Sequence, residues 1–148
     1  MKSSFLPDEF ELGNALDRLT SFGAAAVRVL DEGFRLLLLE EAKRYTFRTQ
    51  PAVVASGDRI VRQQMQVFAA FSKTSRYVLL KNRWQARLNR CLAALAADPF
   101  PVRLHFNSMV LQKYEPGSIG ITPHRDRSVY LNLISLRHRR PRQILRLF

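Results

Sequence analysis

A histidine and an aspartate two residues apart, His124 and Asp126, are the side chains in this sequence best suited to share a metal ion. A facial-triad site holds ferrous iron with two histidines and one carboxylate on one face of the metal. Residues i and i+2 point to the same side of a strand, whereas on a helix they diverge by about 200°. The pair therefore predicts two of the three iron ligands of such a site, if the segment is extended.

The residues on both sides of the pair favour extended structure. Residues 128–134 are rich in β-branched and aromatic side chains, and apolar residues alternate there with polar or smaller ones. Pro123 biases Thr122 away from helical geometry. The alternative interpretation is a surface loop with solvated charges, because Arg125 and Arg127 flank Asp126.

The pair belongs to a longer ordered pattern between residues 107 and 134. An alternating apolar run leads to Gln112 and Tyr114, a Pro-Gly turn follows at residues 115–118, and the His-X-Asp pair comes after it. In this order of residues the sequence resembles the Fe(II)/2-oxoglutarate-dependent dioxygenases, and it is most similar to their alkylation-repair and prolyl-hydroxylase branches.

The resemblance implies a set of site residues and a fold. His124 and Asp126 would be iron ligands, and Tyr114 and, less directly, Gln112 would face the cosubstrate 2-oxoglutarate. The reaction would be an oxidative hydroxylation or demethylation that consumes O2, on a substrate that the sequence does not specify. The implied fold class is α+β, with N-terminal helices packed on a partial double-stranded β-helix (jelly-roll) core in a single domain, residues 1–148.

The family also needs a distal histidine and a basic residue beyond it, and here the sequence departs from the pattern. Only His138 follows Asp126, and it lies among arginines that disfavour an added cation. His105 is interpreted as a polar position on an alternating strand. Residues 137–148 contain five arginines and no acid. We therefore expect a truncated or frameshifted member with an atypical basic tail; a genuine solvated terminus is the alternative.

The charge of the chain suggests a second function class. The formal net charge is +12, and it is still +7 without the five arginines of residues 137–148. Such a balance favours phosphate-rich partners, nucleic acid among them, although a solvated basic surface gives the same composition. The alternative to a dioxygenase is therefore a catalytically inactive remnant or a basic nucleic-acid-binding module.

Cysteine content and hydropathy bear on the cellular location. A single cysteine, Cys91, excludes an internal disulfide and a cysteine zinc site. The N-terminal residues lack the apolar core of a secretory signal, and no apolar run approaches the roughly 20 residues that span a bilayer. We expect a cytoplasmic protein without a membrane partner; the oligomeric state is not specified by the sequence.

Periodicity predicts the elements that position these residues. Helices are expected over residues 13–22, over 32–44 with Asp31 as cap and with Leu37 and Leu38 inward, and over 84–97. Residues 45–50 are predicted to form a strand that pairs with residues 53–55, and residues 60–71 fit strand or helix equally. Arg83, Arg87 and Arg90 share one helix face, which is interpreted as solvated, with a phosphate contact as the alternative.

Overall fold

The computed structural model describes residues 12–22, 29–56, 59–95, 103–122, 135–139 and 143–147. Its elements are α1 (Leu12–Phe22), α2 (Glu32–Ala42), β1 (Arg48–Thr49), β2 (Val53–Ser56), β3 (Arg59–Arg62), β4 (Gln66–Phe68), α3 (Arg76–Ala93), β5 (Val110–Lys113), β6 (Ser135–Arg139) and β7 (Gln143–Leu147). Helices and antiparallel strands together make this an α+β protein, as expected. The chain forms two compact units, Met1–Arg44 with Thr74–His105 and Tyr45–Lys73 with Phe106–Phe148.

Helices α2 and α3 of the first unit begin at side-chain caps. The Asp31 carboxylate accepts a hydrogen bond from the Phe34 backbone N–H at 2.8 Å, which confirms Asp31 as the cap of α2. The Ser75 hydroxyl accepts one from the Tyr77 N–H at 3.0 Å and caps α3. Helix α3 therefore begins at Arg76, eight residues before the predicted start. The prediction was too short because it began the apolar stripe at Trp84.

The core of the first unit is built on one face of α3. Its buried residues are Tyr77, Leu80, Trp84, Leu88 and Leu92. On α2 the buried residues are Phe34 and Leu38, whereas Leu37 is 47% exposed. The prediction that Leu37 faces inward was wrong, because only residues four apart, such as Phe34 and Leu38, share the buried side of this helix.

The chain after α3 is fastened to that helix by one amide side chain. Asn89 Nδ2 donates to the Leu104 carbonyl at 2.9 Å, and the Leu104 N–H donates to Asn89 Oδ1 at 3.0 Å. Leu104 and Phe106 are buried and His105 between them is exposed. The burial alternates as the sequence predicted, but residues 103–109 do not form a strand.

The second unit contains a five-stranded antiparallel sheet in the order β1-β4-β5-β7-β6 and a two-stranded sheet of β2 and β3. Strand β5 pairs with β4 through Val67↔Gln112 and with β7 through Leu111↔Leu145. The predicted pairing of residues 45–50 with 53–55 was wrong. Strand β1 pairs with β4, and β2 pairs with β3, from which it is separated by only two residues, the length of a tight hairpin connection.

The arginine-rich segment contributes two of these strands. Strands β6 and β7 pair from Ser135↔Leu147 to Arg139↔Gln143, and His138 lies opposite Ile144. Aromatic rings pack near the opposite edge of the sheet, where Tyr45 stacks on Phe68 of β4 with ring centroids 3.9 Å apart. Among the described residues, no helix combines the length and the apolar character that crossing a bilayer requires.

Candidate functional site

Gln112 and Tyr114 lie two residues apart at the end of β5, so their side chains emerge on the same face of the sheet. The Tyr114 hydroxyl is 3.1 Å from Gln112 Oε1, to which it donates, and 3.4 Å from Met65 Sδ. Tyr114 is buried at 8% exposure, and Gln112 is half-buried. The structure thus brings together the two side chains that the sequence assigned to a common site.

A tight turn follows Tyr114 directly. The Ser118 N–H donates to the Glu115 carbonyl at 3.0 Å, and Gly117 has φ of 80°. Proline at the second position and a left-handed residue at the third are the requirements of a type II turn, which Pro116 and Gly117 meet. The predicted Pro-Gly turn is confirmed, and it reverses the chain at the end of β5.

After the turn, the chain is fixed against the residues that follow β3. The Gln64 N–H donates to the Gly120 carbonyl at 2.7 Å, and the Ile119 N–H donates to Gln64 Oε1 at 3.0 Å. The Thr122 N–H donates to the Arg62 carbonyl at 2.9 Å, and Thr122 Oγ1 accepts from the Arg62 N–H at 3.0 Å. These four hydrogen bonds hold the segment in antiparallel register.

An isolated antiparallel bridge, Gln63↔Ile121, lies at the centre of this contact. Thr122, the last described residue before the His-X-Asp pair, is therefore held in a strand-like pairing two residues before His124. Extended chain is the geometry in which a His-X-Asp pair can share one metal. The anchoring thus fixes the N-terminal approach to the motif.

His124 and Asp126, and the strand predicted at residues 128–134, lie outside the described residues. Within the described ranges, no cluster of three or more histidine, cysteine or acidic side chains is arranged to hold a metal ion. The described histidine His105 is exposed and belongs to the other compact unit. The structure therefore brings together the two predicted cosubstrate residues, but it does not describe the two predicted iron ligands.

A pocket of about 330 Å³ lies beside the turn, on the second unit. Its polar lining includes a row that crosses three strands through the pairs Thr49↔Gln66 and Gln66↔Lys113. The Lys113 ammonium forms an ion pair with Glu115 at 2.6 Å, so the charges at the pocket are balanced. Met65 also lines the pocket and contacts the Tyr114 hydroxyl, which places the pocket next to the tyrosine.

Gln63 is the buried polar residue of this pocket, at 7% exposure. Its Nε2 donates to the Pro51 carbonyl at 2.8 Å, and its backbone N–H donates to the Ala52 carbonyl at 2.8 Å. These bonds join the loop before β2 to the residues after β3. They hold the floor of the pocket rigid.

The donor set at the end of β5 suits a carboxylate. A phenol O–H and an amide NH2 are hydrogen-bond donors, and both lie on one partly desolvated face of the sheet. The Gln112 amide already accepts from Tyr114 through Oε1, which leaves its Nε2 without a partner in the described part of the chain. The Tyr114 O–H donates to Gln112 Oε1, so it would bind a carboxylate only by exchanging that acceptor, while the Gln112 amide NH2 can donate directly.

Sequence reasoning missed the contribution of Met65. It lies 49 residues before Tyr114, so only the pairing of β4 with β5 brings it close. No local sequence pattern indicates such a contact, and the sequence of the segment that contains Met65 fitted strand and helix equally well.

Comparison with known proteins gave no match among protein-family models, curated proteins or solved structures.

Proposed function

We propose that this chain carries the first half of an Fe(II)/2-oxoglutarate-dependent dioxygenase site, on a partial double-stranded β-helix. The observation that carries the proposal is the anchored approach to the metal motif. Tyr114 and Gln112 sit together at the end of β5, and a type II turn follows. Four hydrogen bonds then anchor residues 119–122, with an antiparallel bridge at Ile121, just before His124. The resemblance in sequence and the geometry of the chain agree in this order.

Four residues would have separate binding roles. His124 and Asp126 would bind Fe(II), since neutral imidazole and carboxylate are ligands that ferrous sites use. Tyr114 and Gln112 would bind and orient 2-oxoglutarate by hydrogen bonds to a carboxylate. When bound, the metal and cosubstrate supply the oxidising chemistry with O2, and the protein positions them and excludes water.

Burial makes Tyr114 the stronger of the two cosubstrate contacts. Tyr114 is only 8% exposed, and binding would turn its O–H from Gln112 Oε1 to the carboxylate; a hydrogen bond to such a charged group contributes about 1.5–3 kcal/mol. That corresponds to a change in affinity of roughly 10- to 100-fold. The half-buried Gln112 competes more with water, and its contribution is expected at the lower end of this range.

Calorimetric titration of 2-oxoglutarate under anaerobic conditions, with Mn(II) as a redox-inert replacement for Fe(II), tests the proposal. Tyr114→Phe keeps the ring and removes only the hydroxyl, and it should weaken 2-oxoglutarate binding by about tenfold or more. Lys113→Gln is the charge control, because it removes a cation of the pocket lining and keeps the hydroxyl of Tyr114 and the amide of Gln112. It should change the affinity less than twofold, or about 0.4 kcal/mol.

Two results would refute the proposal. One is the absence of 2-oxoglutarate binding by the metal-loaded wild-type protein. The other is an equal loss of affinity in Tyr114→Phe and Lys113→Gln, which would show that the acid binds through general charge and not at the Tyr114 face.

A further inference from the structure

Helix α3 has an unusual charge pattern. Its 18 residues include five arginine or lysine residues and no acidic residue. At 100° per residue, Arg83, Arg87 and Arg90 fall within an arc of about 60°. They follow one another along the axis at intervals of about 6 and 4.5 Å. We call these three residues the arginine row.

The arginine row lies along the edge of the core. The buried residues of α3, such as Leu80 and Trp84, occupy the adjacent arc of the helix. Arg83 and Arg90 are exposed, and Arg87, nearest to the core, is half-buried. Because Arg87 Nε is buried, only the terminal nitrogens of its guanidinium can reach the surface, while its apolar methylenes can cover core side chains.

Arg87 carries the one buried side-chain polar atom without a hydrogen-bond partner in the described part of the chain, its Nε. An arginine stays protonated at any physiological pH, so this N–H cannot avoid the penalty by losing its proton. A buried donor left without an acceptor is destabilising, and native proteins rarely retain one without a reason. Because Nε itself is buried, an external anion would accept from the terminal nitrogens of the guanidinium and would stabilise its charge without pairing Nε.

We propose that the arginine row binds the phosphate backbone of a nucleic acid. Guanidinium groups bind phosphate oxygens in a bidentate fork, and a nucleic-acid strand presents phosphates in a regular series that matches a row of cations. The net charge of +12 adds long-range attraction to a polyanion. This proposal is independent of the iron site.

The buried apolar face of α3 argues against a membrane as the partner. A helix that lies on a bilayer inserts apolar side chains next to its basic face. Here five large apolar residues of α3 are buried within the protein, and one, Leu79, is 40% exposed; the buried ones are Tyr77, Leu80, Trp84, Leu88 and Leu92. The arginine row therefore adjoins a single exposed leucine, Leu79, whereas a helix that inserts into a bilayer presents a whole apolar face.

Fluorescence anisotropy of a labelled single-stranded oligodeoxynucleotide of about 16 nucleotides tests the proposal on the full chain. The test variant is the triple Arg83→Gln, Arg87→Gln, Arg90→Gln. The matched control removes the same amount of positive charge elsewhere in the first compact unit, with Arg18→Gln, Lys43→Gln and Arg44→Gln. Circular dichroism of both variants checks that the helices are retained.

Each phosphate contact contributes about 0.7 to the slope of log affinity against log salt concentration for a single strand. The test triple should therefore lower the magnitude of this slope by about 2, and at about 0.1 M salt it should weaken binding on the order of 100-fold. The control triple should keep most of the wild-type slope. Equal slopes in the two triples, or no binding by the wild-type chain, would overturn the proposal.

Phosphatidylserine vesicles form a second arm of the experiment. The proposal expects the wild-type chain to bind the oligonucleotide more tightly than vesicles with the same total negative charge. Binding to vesicles alone, lost in the test triple, would assign the arginine row to a membrane surface and overturn the nucleic-acid proposal.

A single variant separates binding from packing. Arg87→Met keeps the apolar stem and removes the unpartnered N–H, so the melting temperature should stay the same or rise while oligonucleotide affinity falls severalfold. A fall in melting temperature with unchanged affinity would show that Arg87 only packs against the core, and it would overturn its place in the arginine row.

Discussion

Replacing Glu41 should lower the stability of the first compact unit more than any other single charge change on α2. Its carboxylate accepts from the Ser75 hydroxyl at 2.7 Å and from the Arg76 N–H at 3.1 Å, so a side chain of α2 completes the cap of α3. The Glu41 side chain is only 13% exposed. A carboxylate at a helix N-terminus also interacts favourably with the helix dipole.

The expected loss follows from these contacts. Glu41→Ala leaves the buried Ser75 hydroxyl and the Arg76 N–H without their acceptor, which costs about 1–3 kcal/mol for unmet hydrogen bonding, and the lost dipole interaction adds about 0.3–1 kcal/mol. The contact with the Arg76 guanidinium contributes little, because that side chain is 45% exposed. The free energy of unfolding should fall by about 1–4 kcal/mol in total.

Urea unfolding followed by tryptophan fluorescence measures this loss directly. Trp84 is the single tryptophan of the chain and is buried on α3, so its emission reports the unit that Glu41 stabilises. Glu40→Ala is the control, because its ion pair with Lys43 is 58% exposed on the glutamate side and is worth less than about 1 kcal/mol. Equal losses in the two variants would refute the assignment of Glu41 as a cap.

Two further predictions concern the connections of each unit. Asn89→Ala removes the side-chain oxygen and nitrogen that pair with the Leu104 backbone, and in the same urea assay it should lower the free energy of unfolding by about 2–3 kcal/mol. The control is Asn82→Ala, at an exposed asparagine of the same helix. A smaller loss in Asn89→Ala than in this control would contradict the prediction. In Gly117→Ala the added methyl group meets open space, but alanine must adopt a φ of 80°. Hydrogen exchange of the β5 amides should therefore show that their free energy of opening falls by about 1–2 kcal/mol. Equal protection of these amides in Gly117→Ala and in the control Ser118→Ala would contradict the strain at the turn.

Local signals predicted the parts of the fold that depend on neighbouring residues. The Asp31 cap depends on a side chain and an N–H three residues apart, and the turn at Pro116 and Gly117 depends on two consecutive residues. The placement of Gln112 and Tyr114 on one face was implied by the resemblance, and it agrees with the alternation of side chains along a strand. In each case the residues that make the contact are close together in the sequence.

The errors arose where distant contacts decide the structure. Glu41 and Ser75 are 34 residues apart, so the cap that starts α3 has no local pattern beyond the serine. Helix α2 has a run of four leucines, Leu36 to Leu39, and the choice of Leu38 over Leu37 for the buried side is made by packing with other helices. Strand partners are likewise set by the whole sheet, which explains the wrong pairing of residues 45–50.

The affinity for Fe(II), measured anaerobically on the wild-type chain and on a double variant His124→Ala, Asp126→Ala, tests the central claim most directly. His105→Ala serves as control, since that histidine is exposed and lies in the other compact unit. Removal of both ligands should abolish specific Fe(II) binding, and the control should keep the wild-type affinity. Unchanged Fe(II) affinity in the double variant would contradict the proposed site.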